Sequence, residues 1–302
     1  MKRIVITGAT SSIGADLVQV CLNNGHQVIA LARAGSGHLN RLPNLPGLQV
    51  VDFDLFNEDG PLNRALKEPC DIFYHLAWCG TGKADRDNAI LQQKNIRCTL
   101  NMIKLAKDLG CKKFIGAGSQ AEYGTHTQMP TGPESPASPS TAYGISKYAA
   151  GQLGAVLAKE LEIDFFWVRL FSIYGKYDRK DTLIYTVLER IQTQAHYNIA
   201  LGTYMWDYLH SKDAAEALFL IGEKARGRKV YCLGSGKACT LKEYVKAIRD
   251  VAAPEAVVEF EQMPYISRIN SGMCADISLL HRDTGWLPAM DFPEGIRSLL
   301  YG

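Results

Sequence analysis

Tyr143 and Lys147 stand four residues apart at the start of TAYGISKYAAGQLGAVLAKELE, a stretch with helical spacing, so one turn stacks the phenol and the ammonium on the same face. A phenol titrates near ~10 and an ammonium near ~10.4. A tyrosine that exchanges protons at neutral pH therefore needs a neighbouring positive charge to favour phenolate, and Lys147 is placed to supply it. Such a pair suits general acid–base work, worth typically ~10² to 10⁴ in rate.

A second constellation lies at the other end of the chain. Thr7-Gly8-Ala9-Thr10-Ser11-Ser12-Ile13-Gly14 joins a β-branched run to a helical segment. Glycines there permit a tight turn and close backbone approach, and the free N–H groups at the positive end of the helix attract a pyrophosphate. The ligand this predicts is a dinucleotide, bound around Gly8, Thr10, Ser11, Ser12, Ile13 and Gly14, although Ser11 occupies the place of a middle glycine. The second strand ends Leu31-Ala32-Arg33. An acidic residue there would accept from a bare adenosine ribose, whereas a guanidinium suits a 2′-phosphate, so Arg33 predicts NADP(H) over NAD(H), with NAD still possible. Asp54 and Leu55 follow the third strand and are placed to flank the adenine.

The elements that must position these residues read as strands at 2–7, 27–32, 48–53, 72–77, 113–116 and 165–170, with helical segments between most of them, among them 15–24, 89–109 and 143–162. Continuous apolar strands separated by helix-period segments imply an α/β fold, a doubly wound parallel sheet covered on both faces and connected by right-handed crossovers. The proline-rich stretch 125–140 reads as a loop, because a helix and another strand follow it. We place the boundary near 171. Residues 1–170 form a Rossmann domain for NAD(P), with a returning segment near 205–225, and 171–302 form a smaller C-terminal α/β lobe for substrate.

Composition narrows the partners. The 302 residues are 47% hydrophobic and 21% charged, with 33 basic against 31 acidic residues. That balance leaves no electrostatic footprint for nucleic acid, and no apolar run reaches the roughly 18 residues a membrane span needs. The eight cysteines (21, 70, 79, 98, 111, 232, 239 and 274) never fall at C-x-x-C spacing. They read as thiols of a reducing cytoplasm, with no metal site.

These residues resemble the extended short-chain dehydrogenase/reductases, the NAD(P)-dependent epimerase/dehydratase family acting on nucleotide sugars. The likeness covers nearly the whole chain: TGATSSIG resembles the phosphate loop, DIFYHLAW the fourth-strand motif, and NIRCTLNMIKLAKDLGCKKFIGAGSQAEYG the helix and fifth strand that deliver a catalytic hydroxyl. TAYGISK is similar to the Tyr/Lys pair, RLFSIYG and WDYLHSKDAA to substrate-lobe motifs, and CADISLLHRDTGWLP to the C-terminal signature. The resemblance implies Ser119 as the catalytic Ser, Tyr143 as general acid/base and Lys147 as the ribose-binding residue. It further implies Leu76, Ala77 and Trp78 along the cofactor, and Asn95 as a support of the fifth strand beside it. Gln120, Ser172, Trp206 and Arg268 fall at substrate positions.

Departures from the family pattern sharpen the expectation. Gln120-Ala121 replaces the Asp-Glu pair of sugar 4,6-dehydratases, so elimination of water is disfavoured. Glu122 is expected to point away from that site and to serve in packing. Ser172 replaces an asparagine, and Trp206 an arginine that touches substrate phosphates, which makes the pocket atypical; Arg268 is similar to an arginine that clamps a diphosphate. The expected activity is reduction of the 4-keto group of a nucleotide-linked 6-deoxy sugar by NADPH. The alternative is a 4-epimerase with tightly held NAD; a non-catalytic cofactor sensor would need neither Tyr143 nor Lys147. The helices at 89–109 and 143–162 are expected to form a homodimer through a four-helix bundle, with Ala149, Ala150, Gly151 and Gly154 permitting close approach or packing on the chain's own sheet.

Overall fold

The computed structural model describes residues 1–33, 35–56, 68–125, 129–193, 196–200, 205–261 and 272–302. In chain order the first part contains β1 (Arg3–Thr7), α1 (Ser12–Asn23), β2 (Gln27–Ala32), β3 (Leu48–Asp52), β4 (Ile72–His75), α2 (Ala89–Asp108), β5 (Lys113–Ser119), α3 (Ala142–Glu160) and β6 (Asp164–Leu170). There follow β7 (Ser172–Tyr174), α4 (Leu183–Thr193), β8 (His196–Ala200), β9 (Met205–Trp206), β10 (Tyr208–His210), α5 (Ser211–Lys224) and β11 (Arg228–Leu233). The chain closes with β12 (Cys239–Thr240), α6 (Leu241–Ala252), β13 (Val257–Glu261), α7 (Ser278–Thr284) and α8 (Phe292–Tyr301).

Seven of these strands form one sheet in the order β11-β6-β5-β4-β1-β2-β3, and every neighbouring pair in it is parallel. This is a Rossmann-like α/β fold. The strands carry apolar residues on both sides because both faces are covered: α1 and α5 pack together over one, α2 and α3 over the other. The strand order reverses between β1 and β4, and a parallel sheet places all its carboxyl ends on one edge, so that edge is where such folds bind ligands. Thr7, His75 and Ser119 all sit there, at the ends of β1, β4 and β5.

Register on the α2/α3 face is fixed by an aromatic row. Phe73, Phe114 and Phe165 are direct partners on β4, β5 and β6, stacked at 5.6 and 5.8 Å between centroids, and Trp167 continues the row at 6.2 Å. Offset stacks of this kind add to the apolar burial itself. The row leaves little height for α3. A Cβ on Gly151 would lie 2.8 Å from Nε1 of Trp167, and one on Gly154 would lie 3.0 Å from Phe165 and Ile103, so these glycines serve packing within the subunit.

The remaining strands make small two-stranded pairings, β7 with β10, β9 with β12 and β8 with β13. A separate apolar cluster joins Tyr174, Ile184, Val187, Val245, Ile248 and Ile296. No helix among the described residues is long and apolar enough to cross a membrane.

Candidate active site

The loop from β1 to α1 is shaped by contact with the exit of β4. Gly8 has φ +70°, and a Cβ there would fall 2.7 Å from the backbone N of Ala77; one on Gly14 would run into the carbonyl of Gly8. Ser11, standing where a third glycine was expected, caps α1: its Oγ accepts from Gly14 N–H at 3.0 Å. Ser12 carries a buried hydroxyl without a partner among the described residues. A buried unpaired hydroxyl is costly unless something satisfies it, and here it stands beside a glycine-built helix N-terminus. Those residues fit a pyrophosphate. Leu76 and Ile13 pack against the core nearby, and Ala77 N–H reaches Thr7 Oγ1 at 3.4 Å.

Around this loop the other cofactor candidates spread out. Arg33 is exposed directly after β2. Asp54 is exposed and its carboxylate accepts from Phe56 N–H at 3.0 Å, while the Leu55 carbonyl accepts from Cys98 Sγ. Arg41, which spacing did not single out, donates from Nη1 to the Thr10 carbonyl at 3.1 Å and lies 5.0 Å from the Tyr177 ring centroid. No local pattern marks it, because its place depends on a chain reversal far from the motif.

At the end of β5 the candidates for acid–base work converge. Thr141 caps α3 by accepting from Gly144 N–H, which sets Tyr143 and Lys147 on the first turns. The Ser119 side chain stands near enough to the Tyr143 hydroxyl to favour its phenolate. Lys147 is buried; its ammonium donates to the Ala117 carbonyl at 2.6 Å and lies 3.8 Å over the Trp78 ring and 5.8 Å from the Tyr143 ring centroid. Burial pushes the Tyr143 hydroxyl up, opposed by the Ser119 side chain and the positive charge of Arg86. Burial pushes Lys147 down to about 7, and the charge of Glu122 opposes it.

Arg86 is the second residue that spacing missed. Its guanidinium lies 4.4 Å over the Tyr143 ring and its carbonyl accepts from Tyr143 N–H at 2.8 Å. Arg86 thus adds a positive charge that favours the phenolate of Tyr143, alongside the Lys147 to which the sequence pointed. The loop carrying it is lashed to α2. Asn95 accepts from Cys79 N–H and donates to the Cys79 carbonyl, at 2.9 and 3.0 Å. Gln92 donates to the carbonyls of Gly80 and Asp85 and accepts from Trp78 Nε1 at 2.8 Å.

Glu122 does point away from Gln120 and Ala121, but not into apolar packing. It is fully buried, accepts from Ser119 N–H at 2.8 Å and Trp167 Nε1 at 2.9 Å, and pairs with Arg169 Nε at 2.8 Å. Arg169 also donates to the Tyr123 hydroxyl at 2.9 Å and the Pro133 carbonyl at 3.2 Å.

Three substrate candidates meet. The Ser172 hydroxyl accepts from Gln120 Nε2 at 3.3 Å and Trp206 Nε1 at 2.7 Å. The Trp206 carbonyl is held by the Tyr244 hydroxyl at 3.0 Å, and Asp207 beside it ties down the backbone of Ser235, Gly236 and Ala275. Arg268 lies outside the described residues. Among the described residues no cluster of His, Cys, Asp and Glu is arranged to hold a metal.

The sequence model of the NAD dependent epimerase/dehydratase family matches residues 4–234. A putative UDP-glucose 4-epimerase of Methanocaldococcus jannaschii is 22% identical over 98% of this chain and 97% of its own length. The dTDP-6-deoxy-L-talose 4-dehydrogenase (NAD(+)) of Aggregatibacter actinomycetemcomitans is 28% identical over 70% of this chain and 76% of its own. Among solved structures, the UDP-N-acetylglucosamine 4-epimerase of Methanobrevibacter ruminantium superposes with a TM-score of 0.87 at 23% identity, over 99% of this chain and 97% of that one.

Proposed function

Because the chain belongs to the NAD dependent epimerase/dehydratase family, we propose that it is a reductase of the 4-keto group of a nucleotide-linked 6-deoxy sugar. The observation that carries the reading is the meeting of Ser119, Tyr143 and the buried Lys147 at the carboxyl edge of the sheet. Burial favours Tyr143 as a phenol at neutral pH, the form that gives a proton to an oxygen gaining negative charge. Ser119 shares that oxygen through its hydroxyl, polarising it as charge develops. Lys147 holds the ribose of the cofactor and adds positive charge behind the phenol. When bound, the reduced nicotinamide supplies the hydride.

The pyrophosphate is assigned to Gly8, Thr10, Ser11, Ser12, Ile13 and Gly14, the adenine to Asp54 and Leu55, and the nicotinamide side to Leu76, Ala77, Trp78 and Asn95. Arg33, exposed at the end of β2, favours a 2′-phosphate and hence NADP(H). Gln120, Ser172 and Trp206 face the substrate, with residues 1–170 and a returning segment near 205–225 for the cofactor and 171–302 for the sugar nucleotide. An indole in place of a phosphate-binding arginine suits stacking better than ion pairing.

Two subunits are proposed to pair through α2 and α3. The outer face of α3 exposes Ile145, Leu153 and Val156 at 52, 49 and 69%, an apolar stripe of the kind that marks an interface. Cysteines that form no disulfide among the described residues suit a reducing cytoplasm.

A second reading, 4-epimerisation with retained NAD, draws on the epimerase relatives of full length. The two separate on stoichiometry: a reductase consumes one NADPH per sugar reduced, whereas an epimerase interconverts sugars with no net change in nicotinamide absorbance.

A further inference from the structure

Directly behind the reacting hydroxyls lies a carboxylate that the proposed reaction leaves untouched. Glu122 closes the 3-10 turn Gln120–Tyr123 that follows β5, in a capping box with Ser119: the Ser119 Oγ accepts from within the turn, while Oε1 of Glu122 takes the Ser119 N–H at 2.8 Å. The same Oε1 takes Trp167 Nε1 at 2.9 Å, and Oε2 takes Arg169 Nε at 2.8 Å. Hydrogen bonding alone does not call for a charge at this position, since a neutral amide oxygen would accept from Ser119 and Trp167 equally well. A buried ion pair is expensive to build and gives no reliable gain in stability, so its presence against the Trp167 indole, whose ring centroid lies 6.0 Å from the buried Lys147 ammonium, asks for another reason.

Around the carboxylate stand Arg169 on β6, with the Tyr123 hydroxyl and Cys232 of β11 behind it, and Lys147 and Tyr143 on α3. Arg86 covers the Tyr143 ring, and the uncharged His75 of β4 lies beyond Lys147. Of these groups Glu122 is the one whose charge favours the ammonium of Lys147 against its burial. We propose that Glu122 is a positioning residue: locked in place by Arg169, it fixes the backbone of Ser119 beneath the substrate oxygen and, across the Trp167 indole that it holds and that lies 6.0 Å from the Lys147 ammonium, supplies buried negative charge to Lys147. This role rests on the reading of Ser119, Tyr143 and Lys147 as the hydride-transfer site.

The test uses the full-length chain as Glu122→Gln, which keeps the acceptor and removes the charge, and as Glu122→Gln with Arg169→Leu, which avoids leaving a buried guanidinium unpaired. Lysine-selective ¹³C NMR follows Lys147 with pH, its resonance assigned by loss in Lys147→Arg. The expected result is a midpoint moved down from about 7 by about one pH unit in Glu122→Gln and in the same direction in the double variant. In the kcat–pH profile, the alkaline fall moves to lower pH by the same amount while KM is unchanged. A midpoint that stays at the native value, with activity lowered evenly at all pH, would overturn the role and leave Glu122 a structural ion pair. Absence of turnover in the native protein too would strike at the hydride-transfer reading, whereas the coupling of Glu122 to Lys147 is decided by the titration alone.

Discussion

Burial moves the two proton-handling groups of the site in opposite senses. It holds Tyr143 as a phenol and drives Lys147 down to about 7, so near neutrality the lysine is poised between ammonium and amine. Each neighbour then counts: the Ser119 hydroxyl and the Arg86 guanidinium favour phenolate, and Glu122 favours the ammonium. On the proposed reading, cofactor choice likewise falls to one side chain. Arg33→Ala is expected to weaken NADPH binding by roughly tenfold to a hundredfold, the size of a charged hydrogen bond, and to leave NADH affinity nearly unchanged. Titration calorimetry with both cofactors checks this; equal losses for the two would remove Arg33 from the 2′-phosphate.

At the scale of elements, α3 has two faces with separate duties. Its inner glycines accommodate the aromatic row of the sheet, and its outer stripe of Ile145, Leu153 and Val156 is exposed, the face proposed for a second subunit. Leu153→Asp is expected to convert a dimer to a monomer with little loss of secondary structure, read by light scattering at micromolar concentration and circular dichroism. An unchanged mass would place the interface elsewhere. What spacing revealed here was whatever is encoded locally: Gly8 to Gly14, the Tyr143/Lys147 turn, and the strands, whose apolar runs needed no partner to be seen. The limits of single elements moved where tertiary contact intervened. The fifth strand runs to Ser119, past the expected 116, because all of 113–119 pairs with β6, and the fourth stops at His75 where the chain turns aside toward Gly8. Arg41, Arg86 and the Glu122–Arg169 pair were not legible for the same reason. Each acts through a partner that only folding brings near.

For the molecule as a whole, stability should depend on pH through histidines that the fold keeps neutral. His75 is buried between Thr7 and Thr99, at 2.8 and 3.3 Å, and burial pushes it down to about 3; His210 is pushed down to about 4. Below pH 6.5 the unfolded chain takes up protons that the folded chain refuses, so stability present at neutral pH is lost as pH falls from about 6.5 toward these values. From pH 8 to pH 5 the native protein is expected to lose about 2 kcal/mol more than His75→Asn, in urea unfolding at each pH. Parallel losses in the two proteins would mean that His75 is charged in the fold.

The parallel sheet brings the loop after β1 and Ser119, with Tyr143 and Lys147 beside it, to one edge, and the reading of the chain as a reductase stands on that meeting. It is tested most directly by following nicotinamide absorbance as nucleotide-linked 4-keto-6-deoxy sugars are added to the native protein and to Tyr143→Phe. The native protein is expected to consume one NADPH per sugar reduced, and Tyr143→Phe to bind the cofactor as before while turning over at least ~10²-fold more slowly. Equal rates for the two proteins would contradict the assignment of the Tyr143 hydroxyl as the proton donor.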